Sequence, residues 1–216
     1  MIRFENVTHS YPRGAGVENV NLKISPGEFS FLIGPTGSGK TTLMKLVYCE
    51  LFPDSGIVMV NGIKTSKMKK RHIPKFRRDI GYIFQNYYLM PDRNLYQNIA
   101  LALHILGTDK DGVEDRVMGA LEEVGLAEKE LHFPHELSGG ERQRACIARA
   151  LVKDPDILLA DEPTGNLDPV TSFELLTLLE TINEEGTTVL MASHNYSLIK
   201  GRGHRIYEIQ KGHLQV

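Results

Sequence analysis

Apolar, β-branched runs recur at 29–33, 57–60, 80–84, 157–160 and 188–192, and helix-period segments follow several of them. That alternation is the α/β pattern. The runs at 29, 157 and 188 are apolar at nearly every position, which suits a strand covered on both faces, so they predict central parallel strands flanked by helices. Segments 2–7 and 17–24 instead alternate apolar with polar around Tyr11-Pro12-Arg13-Gly14, predicting an antiparallel edge sheet with a turn. Between about 95 and 151 the strand signal vanishes and helical spacing takes over, at 95–106, 113–124 and 140–151. The expectation is one α/β domain over 1–216, with 1–86 and 146–216 forming the core and 87–145 a helical subdomain. Short strands return from 205 to 216 around Lys211-Gly212, and no further regulatory domain is expected.

Composition narrows the class. With 216 residues, 41% hydrophobic and 24% charged, the chain can bury a substantial core. Its 25 Lys+Arg nearly cancel its 27 Asp+Glu, which argues against a protein devoted to neutralising a nucleic-acid backbone, and no nucleic-acid partner is expected. No stretch approaches the ~20 apolar residues of a membrane span, and the first residues lack the apolar run of a secretory signal. Cytoplasmic residence is the expectation. Cys49 and Cys146 are far apart and belong to no CxxC pair, so both are expected as buried core thiols.

Three stretches carry chemistry. Gly34-Pro35-Thr36-Gly37-Ser38-Gly39-Lys40-Thr41-Thr42 fits GxxxxGK[ST] and stands between a predicted strand and an apolar helical segment. Its glycines let backbone N–H groups turn toward phosphate oxygens, Lys40 would reach the β- and γ-phosphates of ATP, and Thr41 would offer its hydroxyl to Mg²⁺. The run 157–160 ends in Asp161-Glu162, at the strand edge where ligands of parallel sheets sit. Asp161 suits Mg²⁺ ordering through water, and Glu162 suits a base for the attacking water; a solvated pair or helix cap is the structural alternative. Leu137-Ser138-Gly139-Gly140-Glu141-Arg142-Gln143-Arg144 opens a helix with a good N-cap, Ser138, and two glycines that admit an anion, although an ordinary capped helix has the same look.

LSGGERQR, the phosphate loop and DEPTGNLD at 161–168 together resemble the nucleotide-binding subunits of ABC transporters over essentially the whole chain. The resemblance implies an ABC-type ATPase fold, with a P-loop core, an antiparallel β edge and a helical subdomain. It further implies that Tyr11 stacks on adenine, Gln85 senses Mg²⁺ and the attacking water, Asp168 belongs to a dimer-contact loop, and His194 contacts the γ-phosphate. In this family two copies sandwich two ATP molecules, Ser138, Gly139 and Gly140 of each completing the other's site, and the subunits serve a membrane partner. Relatives acting on ribosomes or DNA usually carry two cassettes or a coiled-coil insertion, and neither is found here.

Residues 85–100, with Gln85, Asp92-Arg93 and Tyr96-x-Asn98-Ile99-Ala100, are similar to the bacterial cell-division branch of that family. LADEPTGNLD is shared with the lipoprotein-releasing and macrolide-export branches. The narrower resemblance implies a place at the inner face of the bacterial plasma membrane, beneath an integral membrane partner, in the control of cell-wall hydrolysis. Asn86, Asn195 and Arg142 depart from the branch's usual aspartates and glutamine without removing a catalytic group. Finally, 64–78 holds eight Lys/Arg and no acid. It reads either as a solvated face or as a patch meeting anionic headgroups, and with only Phe76 among its cations it makes a poor stacking surface for single strands.

Overall fold

The computed structural model describes residues 2–12, 14 and 16–215, so Arg13 of the expected turn and Val216 of the tail lie outside the described residues. Strands β1 (Ile2–Ser10) and β2 (Gly16–Ile24) pair antiparallel from Ile2↔Ile24 to Ser10↔Gly16. The next strand, β3 (Phe29–Ile33), is buried throughout and runs through the glycine loop into α1 (Lys40–Val47). Strand β4 (Ser55–Val60) returns beside β1, and the short β5 (Ile63–Lys64) beside β4, giving an antiparallel sheet of order β2-β1-β4-β5.

A cationic segment containing the single turn of α2 (Ile73–Phe76) leads to β6 (Ile80–Ile83). The helical stretch follows as α3 (Leu95–Leu106), α4 (Val113–Glu123) and α5 (Gly139–Leu151). Because α5 runs unbroken through position 145, the helical stretch and the core share one rigid element. The chain then alternates: β7 (Ile157–Asp161), α6 (Pro169–Glu184), β8 (Thr188–Ser193), the short α7 (Tyr196–Ile199), β9 (Arg205–Gln210) and β10 (His213–Gln215). The second sheet has the order β10-β9-β3-β8-β7-β6 and is parallel except for β10.

Alternate residues of the parallel strands feed two cores. Phe31, Leu158, Val189 and Met191 pack toward α3–α6, whereas Leu32, Leu159, Leu190 and Ala192 pack with Leu43 and Met44 of α1 and Phe4 of the first sheet. Two covered faces account for the unbroken apolar runs that marked these strands. Cys49 and Cys146 are buried free thiols, one in each core, and burial pushes each up to about 11. The register pairs Ile33 with Ser193 and Asp161 with Ala192, so the carboxyl ends of β3, β7 and β8 lie level.

The loop from β6 to α3 is fastened from within. Asn98, only 2% exposed, accepts from the Met90 N–H (2.7 Å) and donates to the carbonyls of Met90, Arg93 and Asn94 (3.2, 2.9 and 3.0 Å). Asn94 meanwhile caps α3 in a capping box with Gln97. The Asn98 motif thus has a structural cause in this chain. Asn98→Ala would remove all four of these hydrogen bonds from a buried side chain, and a loss of about 2–3 kcal/mol in urea unfolding is expected.

Candidate active site

The glycine loop is shaped by close approach. Gly34 has φ 156° and Gly39 φ 116°, and a Cβ would stand 2.1 Å from the Ile209 carbonyl oxygen at the first and 2.7 Å from Val17 Cγ1 at the second. Side chains are excluded at both. Lys40 begins α1 and is 4% exposed; its Nζ donates to the carbonyls of Gly34 (2.7 Å) and Pro35 (3.1 Å) and lies 3.1 Å from Glu162 Oε1. The Ser38 hydroxyl is buried and, among the described residues, has no hydrogen-bond partner, an orphaned polar atom in a loop whose backbone fits phosphate. Around them is a cavity of about 250 Å³ lined by Tyr11, Thr36, Gly37, Thr42, Gln85 and Glu162, among others. The Tyr11 hydroxyl lies 3.3 Å from Thr42 Oγ1 at its mouth.

Asp161 and Glu162 face this loop from the end of β7. Thr41 Oγ1 donates to Asp161 Oδ1 at 3.2 Å, and the Tyr82 hydroxyl donates to Oδ2 at 3.4 Å. Burial pushes the Asp161 carboxyl above the usual carboxylate range; the Thr41 bond opposes that shift and the Glu162 charge adds to it. Such a carboxylate gains from a cation. Thr41 and Asp161 are hard oxygen donors with space beside them, in a further cavity of about 440 Å³ that Gln85 also lines, and a site with few protein ligands suits Mg²⁺. Glu162 has a left-handed backbone, φ 49°, and its Oε2 lies 2.5 Å from His194 Nδ1, so one carboxylate joins the Lys40 ammonium and the His194 ring. Strain at such a position accompanies function.

Ser138, Gly139, Gly140 and Asp168 are not brought to this cavity. Ser138 caps α5 in a capping box with Glu141, whose carboxyl is held down at about 2 by the Lys129 ammonium first and then by the Ser138 N–H. A Cβ on Gly140 would stand 2.6 Å from Thr171 Cγ2, so α5 starts against α6. Asp168 caps α6, accepting from the N–H groups of Val170 and Thr171 (both 3.0 Å) and the Thr171 hydroxyl (2.5 Å), bonds that lower its pKa, the hydroxyl's foremost.

Other contributors escaped the sequence reading. Tyr82 holds Asp161, and its place three residues before Gln85, at the end of a strand aimed at the site, was the available signal. Arg149 donates to the carbonyls of Tyr88 (2.6 Å) and Tyr87 (2.8 Å), and Cys146 Sγ donates to the latter at 3.1 Å, tying the segment after Gln85 to α5. Arg142 lies 5.4 Å over the Tyr87 ring, a direct link between that segment and the start of α5. Asn195, in place of an aspartate, caps α7, which either residue does well.

A P-loop after β3 of a parallel sheet, two acids at the carboxyl end of β7 and a separate SGG helix start define an ABC-type ATPase, and residues 17–165 match the ABC transporter family model: the chain belongs to that family. Among individual proteins, it is similar to the cell division ATP-binding protein FtsE. With that of Escherichia coli it shares 46% identity over 215 residues, covering 99% of this chain and 97% of the relative. With that of Mycobacterium tuberculosis it shares 46% over 216 residues (99% and 94%), and with that of Streptococcus pneumoniae 44% over 213 (98% and 93%). The ATP-binding cassette MJ0796, solved as a dimer in a post-hydrolysis state bound to ADP and Pi, superposes with TM-score 0.90 at 35% identity, covering 100% of this chain and 97% of that one. The expected fold and ATPase activity are both borne out.

Proposed function

We propose that this chain binds and hydrolyses ATP as half of a homodimer beneath an FtsX-like integral membrane protein, at the cytoplasmic face of the bacterial plasma membrane. There, dimer closure controls cell-wall hydrolysis during division. The observation that carries the catalytic part is Glu162, joined to both Lys40 and His194 at the carboxyl edge of the sheet. The glycine loop and Lys40 hold the phosphates, Tyr11 stacks on the adenine, Glu162 takes the proton of the attacking water, and His194 keeps that carboxylate in place beside the γ-phosphate. Thr41, with Asp161 through water and Gln85, would hold Mg²⁺, which when bound neutralises phosphate charge. Ser138–Gly140 lie outside their own chain's cavity, so a second copy supplies them. The 87–145 lobe carries them, and Asp168 stands on the loop facing the other copy.

Docking is assigned to an apolar groove of about 480 Å³ lined by Tyr48, Tyr82, Phe84, Tyr88 and Ile105 with Arg149 at its edge. Tyr88 (65% exposed, φ 48°) is turned outward while Arg149 holds its carbonyl, and Ile105 is 71% exposed, a surface fit for a short apolar helix of the membrane partner. Tyr88→Asp should abolish co-purification with that partner and leave ATPase activity of the isolated chain within about twofold. Loss of both activities together would mark Tyr88 as part of the catalytic fold.

For the biological role, depletion should give filaments or chains with unsplit septa. Normal septation with mislocalised lipoproteins or drug sensitivity would move the chain to the lipoprotein-releasing or macrolide-export branches, which share its 159–168 segment.

A further inference from the structure

Residues 64–78 carry charge that the catalytic site and the groove leave unused. The run holds 8 of the chain's 25 Lys+Arg and none of its 27 Asp+Glu, so the run is +8 and the rest of the chain is left at −10. Of the eight cations, Arg77 is turned inward: Nε donates to the Tyr48 carbonyl (3.0 Å), Nη2 donates to that of Cys49 (3.3 Å), and the guanidinium lies 4.3 Å over the Tyr48 ring. The other seven are exposed, and among the described residues none of them enters an ion pair, although Lys45, Lys129, Arg144 and Arg202 elsewhere all find carboxylates.

This is a fixed platform. Short turns at Thr65–Lys67, Lys70–His72 and Arg77–Asp79 accompany the single turn of α2, and the inward residues pin them. Thr65 is buried and donates to the Val58 carbonyl at 3.2 Å, Phe76 is buried, Met68 and Ile73 pack on the core, and Lys153 Nζ donates to the carbonyls of Arg77 (3.1 Å) and Ile80 (2.5 Å). Cations on fixed turns, with their apolar neighbours facing in, make a surface for delocalised negative charge rather than a pocket for one ligand. Burial of Phe76 withdraws the run's one benzene ring from base stacking. The platform is also continuous with the docking groove, whose wall includes Pro74, Arg77 and Arg78 beside Tyr88 and Ile105.

We infer that 64–78 is an electrostatic landing surface for anionic phospholipid headgroups, set beside the groove that receives the membrane partner. The inference rests on the docking reading for its orientation. Charge segregation supplies the physics: an anionic bilayer attracts the face of seven exposed cations and repels the −10 remainder, so the chain arrives with its groove toward the membrane.

The test uses the full chain and vesicles without any membrane protein, at physiological ionic strength. The chain should sediment with phosphatidylglycerol-containing vesicles, not with phosphatidylcholine alone, and should be released by high salt. Exchanging Lys67, Lys69, Lys70 and Lys75 together for Gln should weaken that binding about fivefold per charge removed, about 600-fold in all, with ATPase activity unchanged. Lys23→Gln with Lys211→Gln, outside the run, should bind like the parent. So should Tyr88→Ser, because it empties the groove without changing the charge; if partner recruitment survives Tyr88→Ser, the docking reading fails while the lipid result stands. Equal binding to both vesicle types, or equal binding by the four-lysine variant and the parent, would overturn the inference. So would dependence on the four lysines only when the membrane protein is present, which would mark an acidic protein contact.

Discussion

Glu162→Gln should lower ATP turnover by about 10²-fold or more while ATP binding persists. The substitution keeps the side chain's size and its place on the left-handed backbone at φ 49°, and removes only the negative oxygen able to accept a proton from water. Lys40 still holds the carbonyls of Gly34 and Pro35, so the phosphate cradle survives. Single-turnover hydrolysis measured beside equilibrium binding of a fluorescent ATP analogue separates the two. Turnover equal to that of the parent would remove Glu162 from catalysis.

Lys40→Ala should act earlier, on binding itself. A cation 4% exposed at the mouth of the glycine loop contributes far more than a surface lysine, because water screens it little and phosphate oxygens are its best partners. Affinity for ATP should fall about 10- to 100-fold, the range expected for a lost charge-assisted contact. Loss of affinity for AMP by the same factor would contradict the assignment, since Lys40 is placed on the outer phosphates.

Much of this was legible in the sequence, for identifiable reasons. Strands β3, β7 and β8 stand out because burial on both faces forces unbroken apolar runs, and the glycine loop stands out because Gly34 and Gly39 leave no room for a Cβ. The sequence pattern sets no bounds for helix α6, since Val170 and Phe173, 68% and 57% exposed, blur the apolar stripe that Leu175, Leu176, Leu179 and Ile182 bury. The side chains that hold the site were the least legible. Tyr82 on Asp161, Arg149 on the Tyr87 and Tyr88 carbonyls, and the Glu162–His194 contact join residues 32 to 79 positions apart, and no local pattern records them. Asn98 shows the converse, a motif that suggested partner identity and that fastens the chain's own loop.

The central claim is a hydrolytic site divided between two copies, and sedimentation of Glu162→Gln protein tests it most directly. With ATP and Mg²⁺ the variant should sediment as a dimer, with ADP as a monomer, and a further Ser138→Arg exchange should return the ATP form to monomer by filling the space where the second copy meets the phosphate. A Glu162→Gln chain that binds ATP yet stays monomeric, or a dimer that persists after Ser138→Arg, would contradict the account.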